Sequence, residues 1–275
     1  MTTPRSVLVV VAHPDDAELA MGMRIRDHVL VGDRVRVHCL SAGRADKGDG
    51  AARRDECLAA AKILGIGGYT FSPIPDTRFT DHRGAINAAL FDAFAIERPD
   101  VVYTHYPNDQ HLDHAVTGEE ASTVAMREAA DLIHFRSPYS RNFEPNLYFV
   151  GTPNLLAAKQ AALACFASQQ QLDMEVFSGL TALAYRQHVH HRVVERFPDG
   201  AHGAEMFRTA RQIIHASGRP PPACRRSTDR PSSTRPLLDQ GGTPNEHSHV
   251  HRQWNPFPPS GKLASARAST PRWRS

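Results

Sequence analysis

Two short segments concentrate imidazoles and carboxylates. One is Ala12-His13-Pro14-Asp15-Asp16-Ala17-Glu18; the other is Tyr106-Pro107-Asn108-Asp109-Gln110-His111-Leu112-Asp113-His114. Imidazole nitrogen with carboxylate oxygen is a donor set for zinc and related divalent cations. A catalytic zinc keeps three protein ligands, leaves a position for water and lowers that water's pKa towards neutrality. A His and an Asp left over beside it are then candidates for acid and base. His111 and His114 are three apart, so on one helical turn their side chains share a face. Helix capping is the plainer reading of either segment, since Asp and Glu commonly satisfy free N–H groups at helix starts. Both segments follow an expected strand, and this favours a metal site over two coincidental caps.

The elements that must position them can be read from apolar spacing. Ser6–Val11 is a continuous Val-rich run, as expected for a strand buried on both faces of a parallel sheet. Further strands are expected at Val35–Leu40, Tyr69–Ser72, Asp100–Thr104 and Asn146–Val150. Helices are expected at Ala51–Leu64, Ala85–Ile96, about His114–Ala130 and Leu155–Gln170, with Gly65 and Arg98-Pro99 as stops. The alternation predicts an α/β, Rossmann-like fold, a mostly parallel sheet with helices on both faces. In such folds ligands bind outside the carboxyl ends of the strands, where both clusters fall. Strands one and four are neighbours in the commonest doubly wound order.

Some classes are excluded. A dinucleotide-binding domain would carry Gly-x-Gly-x-x-Gly after strand one; here two adjacent carboxylates would repel a phosphate and attract a cation. Of 32 Lys/Arg and 29 Asp/Glu, residues 216–275 hold ten and three, so the body is at −4 and the tail at +7. A basic nucleic-acid-binding body is not supported. No apolar run is long enough to span a membrane, and the N-terminal one is too short for a signal core, which predicts a cytoplasmic protein. The four cysteines form no Cys-x-x-Cys pair, and Cys165 is expected in the core. Half of the 20 prolines follow Ala216, so 1–215 is expected to be the folded domain and 216–275 a disordered tail. His188, His190 and His191 form a third cluster, expected on a surface loop or strand.

At its two His/Asp segments the sequence resembles the LmbE-like (PIG-L) family of zinc N-deacetylases. The resemblance runs from about Ser6 to Phe207 and includes Arg53-x-x-Glu56, Ala60-Ala61, Leu64-Gly65 and Pro75-Asp76. It implies that Zn2+ is held by His13, Asp16 and His114. It also implies that Asp15 is the general base for the attacking water. His111 would stabilise the oxyanion and protonate the leaving amine, Asp113 would hold His111 charged, and Arg53 and Asp76 would contact sugar hydroxyls. The implied substrate is a small N-acetylated amino sugar, with neither nucleic acid nor membrane as partner and with room for a homo-oligomer. Two positions depart from the family's pattern. Gly22-Met23 stands where Gly-Gly is common, and His-Leu-Asp-His where His-Pro-Asp-His is common. Rival readings are a metal-dependent hydrolase of another ester, amide or phosphate, a non-catalytic sugar-binding protein on the same scaffold, and a nucleic-acid role for the tail.

Overall fold

Successive side chains of Ser6–Val11 (β1) point to opposite faces, and every one from Val7 on is buried. Val7, Val9 and Val11 join a core with Met21, Ile25, Cys57, Leu64 and Ala162; Leu8 and Val10 join a second with Ile86, Leu90, Phe94, Val116 and Val124. A strand apolar on both faces requires a layer of helices on each side, and the chain supplies them. The computed structural model describes residues 3–43, 50–128, 130–169, 176, 179–184 and 203–214. Among these, helices Asp16–Leu30 (α1), Gly50–Leu64 (α2) and Pro153–Leu163 (α5) cover one face, while Arg83–Glu97 (α3) and Leu112–Arg127 (α4) cover the other.

The remaining strands are Arg34–Cys39 (β2), Tyr69–Phe71 (β3), Val101–His105 (β4), Asp131–Phe135 (β5), Leu147–Gly151 (β6) and Gly203–Arg211 (β7). They form one sheet in the order β3-β2-β1-β4-β5-β7-β6. The pairs from β3 through β5 are parallel, and β7 runs antiparallel to both β5 and β6. The order reverses between β1 and β4, so their carboxyl ends splay into the crevice that such sheets use for ligands.

The expected α/β class, parallel sheet and two helical layers are borne out. Sequence reading missed β5 and β7. It ran the fourth helix on to Ala130, against Asp131–Phe135, and β7 is flanked by polar sequence. The expected Leu155–Gln170 helix stops at Leu163, where Cys165 follows half-buried against the core. The tail and the His188–His191 cluster lie outside the described residues.

α1 is broken at Met21, which has non-helical φ −147° and ψ 26°. The Met23 and Arg24 N–H groups downstream donate instead to the two oxygens of Glu205 on β7, at 3.0 and 2.8 Å. Lys159 of α5 closes the arrangement with a 2.7 Å ion pair to Glu205, both groups buried. Gly22 is needed where Lys159 crosses: a Cβ there would lie 2.9 Å from Lys159 Cγ.

Candidate metal centre

β1 delivers His13, and the chain then turns sharply. Asp15 has φ 88°, the left-handed region that suits Asp better than most non-glycine residues. Although it stands at the start of α1, its side chain makes no capping hydrogen bond. Its carboxylate is buried, and its charged neighbour is Arg53 of α2, 3.8 Å away. Asp16 is turned the other way and accepts the His13 N–H at 2.8 Å.

β4 and α4 supply the opposite wall. Asp109 accepts the His111 N–H at 2.8 Å, which sets His111 at the N-terminal boundary of α4. The His111 and His114 rings stack with centroids 4.3 Å apart. His114 Nε2 lies 3.5 Å from Asp16 Oδ1, and His13 Nδ1 lies 3.7 Å from Asp16 Oδ2. Asp16 therefore bridges the two imidazoles that the sequence pairs with it.

Among the described residues, three overlapping donor sets have ligand atoms within 4.8 Å of one another: His13/His111/His114, Asp16/His105/His114 and His13/Asp76/Asp113. His105, at the end of β4, is a member that sequence reading passed over, although it obeys the same strand-end rule. It is buried and stacks on His114 at 4.2 Å. The buried Nδ1 atoms of His105 and His111 have no hydrogen-bond partner, and that of His114 faces Asp109 at 3.6 Å. Five carboxylates, from Asp15, Asp16, Asp76, Asp109 and Asp113, converge here, and the guanidinium that reaches them is that of Arg53. Unpartnered imidazole nitrogens among excess carboxylates fit a divalent cation.

The electrostatics carry the same message. Burial alone would lower the His13 pKa, but hydrogen bonds to Asp113 and Asp76 and the charge of Asp16 raise it to about 10. That imidazole takes up the positive charge that the carboxylates demand. Asp16 is held well below the carboxylate range because His114, His105 and His13 overcome its burial. Asp15 goes the other way: burial and the charge of Asp16 raise it despite Arg53 and His13. Burial, His114 and His13 lower the pKa of His111.

Some expected contacts are rearranged. Asp113 lies 3.2 Å from His13 Nε2 and accepts N–H bonds from Thr77 at 2.6 Å and Phe79 at 3.2 Å, so its hydrogen bonds serve His13 and the loop after β3 rather than His111. Asp76 lies 3.2 Å from the same Nε2. Arg53 is buried and donates to Pro14 O at 3.2 Å, gripping the His13–Asp16 turn from behind.

Fold and side-chain cluster together define an α/β protein with a buried His/Asp centre whose donor atoms fit a divalent cation, at the reversal point of its sheet. Residues 8–125 match the PIG-L family model, described as GlcNAc-PI de-N-acetylase. The chain is 28% identical over 165 residues to the uncharacterized deacetylase YaiS of Escherichia coli, covering 58% of this chain and 89% of that one. It is 29% identical over 211 residues to 4-oxalmesaconate hydratase of Pseudomonas putida, covering 62% and 77%. The fold is shared with the A40926 pseudoaglycone deacetylase Dbv21, with a TM-score of 0.63, 19% identity and coverage of 78% and 100%.

Proposed function

We propose that the protein is a zinc-dependent N-deacetylase that hydrolyses the acetamide of an N-acetylglucosamine-containing small molecule to free amine and acetate. The observation that carries this reading is the division at the β1 turn. Asp16 faces His13 and His114, while Asp15, one residue away, is buried without a capping role and with a raised pKa. His13, Asp16 and His114 would hold the cation. Bound there, zinc would polarise the acetyl carbonyl and make water nucleophilic at neutral pH.

The protein's own groups supply the proton movements. A carboxylate with a raised pKa is a better base, which suits Asp15 to take the proton of the attacking water. His111 lies across the pocket, its ring centroid 5.0 Å from that of His13, and is half-buried where a substrate would enter. In the proposed reaction its protonated ring, whose charge Asp113 and Asp16 favour, stabilises the developing oxyanion and hands a proton to the leaving nitrogen, without which an amine is a poor leaving group. Tyr139, 53% exposed and 6.0 Å from the His111 ring, offers an apolar face to a sugar ring at the rim.

The test is to load the protein with zinc and measure acetate release from a panel of N-acetylglucosaminides, including aminoglycoside intermediates and glucosaminyl thiol precursors. Acetate from at least one member supports the reading, and none from any overturns it. The hydratase relative motivates a second assay. Water addition to an unsaturated dicarboxylate, followed by loss of its absorbance without acetate, would assign the pocket to hydration instead.

A further inference from the structure

Each imidazole expected to hold the metal has two ring nitrogens, and each of those nitrogens faces a carboxylate. For His13, Nδ1 faces Asp16 at 3.7 Å and Nε2 faces Asp113 at 3.2 Å. For His114, Nε2 faces Asp16 at 3.5 Å and Nδ1 faces Asp109 at 3.6 Å. Asp109 has no role in the reaction proposed above, yet its side chain has 0% exposure. A buried carboxylate is costly unless its oxygens are satisfied. Here Oδ1 accepts the His111 N–H at 2.8 Å, and Oδ2 accepts the Ser140 hydroxyl at 2.8 Å and the Ser137 hydroxyl. Both serines lie on the loop after β5. That loop is laced to the His111 segment by Gln110 N–H to Tyr139 O at 3.0 Å and Arg141 N–H to Asn108 O at 2.9 Å.

We propose that Asp109 is a positioning residue of the metal centre, holding the Nδ1–H of His114 so that the Nε2 lone pair is presented to the ion, and that Ser137 and Ser140 hold Asp109 in turn. An imidazole binds a metal through an unprotonated nitrogen, so its other nitrogen carries the proton and needs an acceptor when buried. A carboxylate acceptor fixes the tautomer, fixes the ring plane and makes the ligand nitrogen more basic. The loop after β5 thereby becomes part of the metal centre without touching the metal. The inference rests on the reading of His114 as a ligand.

Asp109→Asn is the decisive variant. It keeps an oxygen for the His111 N–H and an amide that the serine hydroxyls can accept from, but it removes the charge facing Nδ1. Zinc affinity is measured on the full-length apo protein by competition with a chromophoric chelator. The visible spectrum of the Co2+-loaded protein reports ligand basicity and geometry. Asp109→Asn should weaken zinc binding by about 10–100-fold and shift the Co2+ bands, with the apo urea midpoint unchanged. The Ser137→Ala/Ser140→Ala pair should weaken binding in the same direction by less, and it serves as the test if the Asn variant does not fold. Zinc affinity within twofold of the parent and a superimposable Co2+ spectrum would overturn the proposal. His114→Ala separates the two levels. If it binds zinc like the parent, the ligand assignment falls; if it loses zinc while Asp109→Asn does not, only the role of Asp109 falls.

Discussion

Asp15 shows what a single residue contributes. Its φ of 88° is one of four positive values at non-glycine residues among the described residues, and a left-handed L-residue costs about 1–2 kcal/mol. Asp15→Gly should therefore fold at least as well as the parent while losing the proposed base. Asp15→Asn, which tolerates the same backbone, should lower kcat by about 10²–10⁴-fold. Zinc content, checked by elemental analysis, should be unchanged in both. Glu18, one turn further on, is a different case. It is fully buried, neither of its oxygens has a partner, and burial with Asp16 nearby pushes its pKa from 4.5 to about 8. The folded state thus binds a proton that the unfolded state releases, so this group's stability contribution is complete below pH 4.5 and is lost as pH rises through 8. Glu18→Gln should raise the urea midpoint at pH 9 relative to the parent and raise it much less at pH 5.

At the scale of elements, the Gly22-Met23 departure has a structural complement. A Cβ on Gly151 of β6 would lie 2.4 Å from Met23 Sδ, and a Cβ on Gly203 of β7 would lie 3.5 Å from Met23 Cε. The larger side chain on α1 thus fits because two paired strands are bare opposite it. Gly151→Ala should destabilise by about 1–3 kcal/mol through overpacking, and Met23→Ala should recover part of that loss. Denaturant midpoints of the two single variants and the double variant measure the coupling, and strict additivity would refute the fit. This coupling was beyond sequence reading, which saw the Gly–Met pair but not its partners, because β7 lies in polar sequence and its pairing with β6 is non-local. What was legible follows the same logic. β1 through β4 and the helices α2 and α3 are local, strongly patterned units, and the two His/Asp segments fall at the strand ends that their order dictates. His105 lay one residue past the expected end of β4. Asp109 could not be assigned to His114 from spacing alone, because its serine partners come from a loop about 30 residues away.

Across the whole molecule, three buried histidines remote from the proposed ligands join separate elements. His28 of α1 bonds Asp33 at 2.7 Å and the Tyr103 hydroxyl of β4 at 3.0 Å. His38 of β2 bonds Thr70 at 2.9 Å and Ser72 at 3.0 Å, and His134 of β5 bonds Ser122 of α4 at 2.9 Å. Burial lowers all three from 6.5 to about 4, with Arg24 adding to the effect at His28 and Arg208 at His134. A lowered histidine contributes stability that is present above 6.5 and lost as pH falls towards 4, because the unfolded chain binds the proton first. Glu18 acts in the opposite direction over an overlapping range. The three histidines favour the unfolded state on acidification, and His105, lowered to about 4 by burial and the charge of His114, adds to them once the metal is removed, so stability should fall as pH drops through this window. The chelator-treated protein should therefore be less stable at pH 5 than at pH 7. His38→Gln and His134→Gln together should reduce the slope of unfolding free energy against pH across this window by about two protons. Urea titrations at half-unit pH intervals measure it, and an unchanged slope would show that other groups govern acid unfolding.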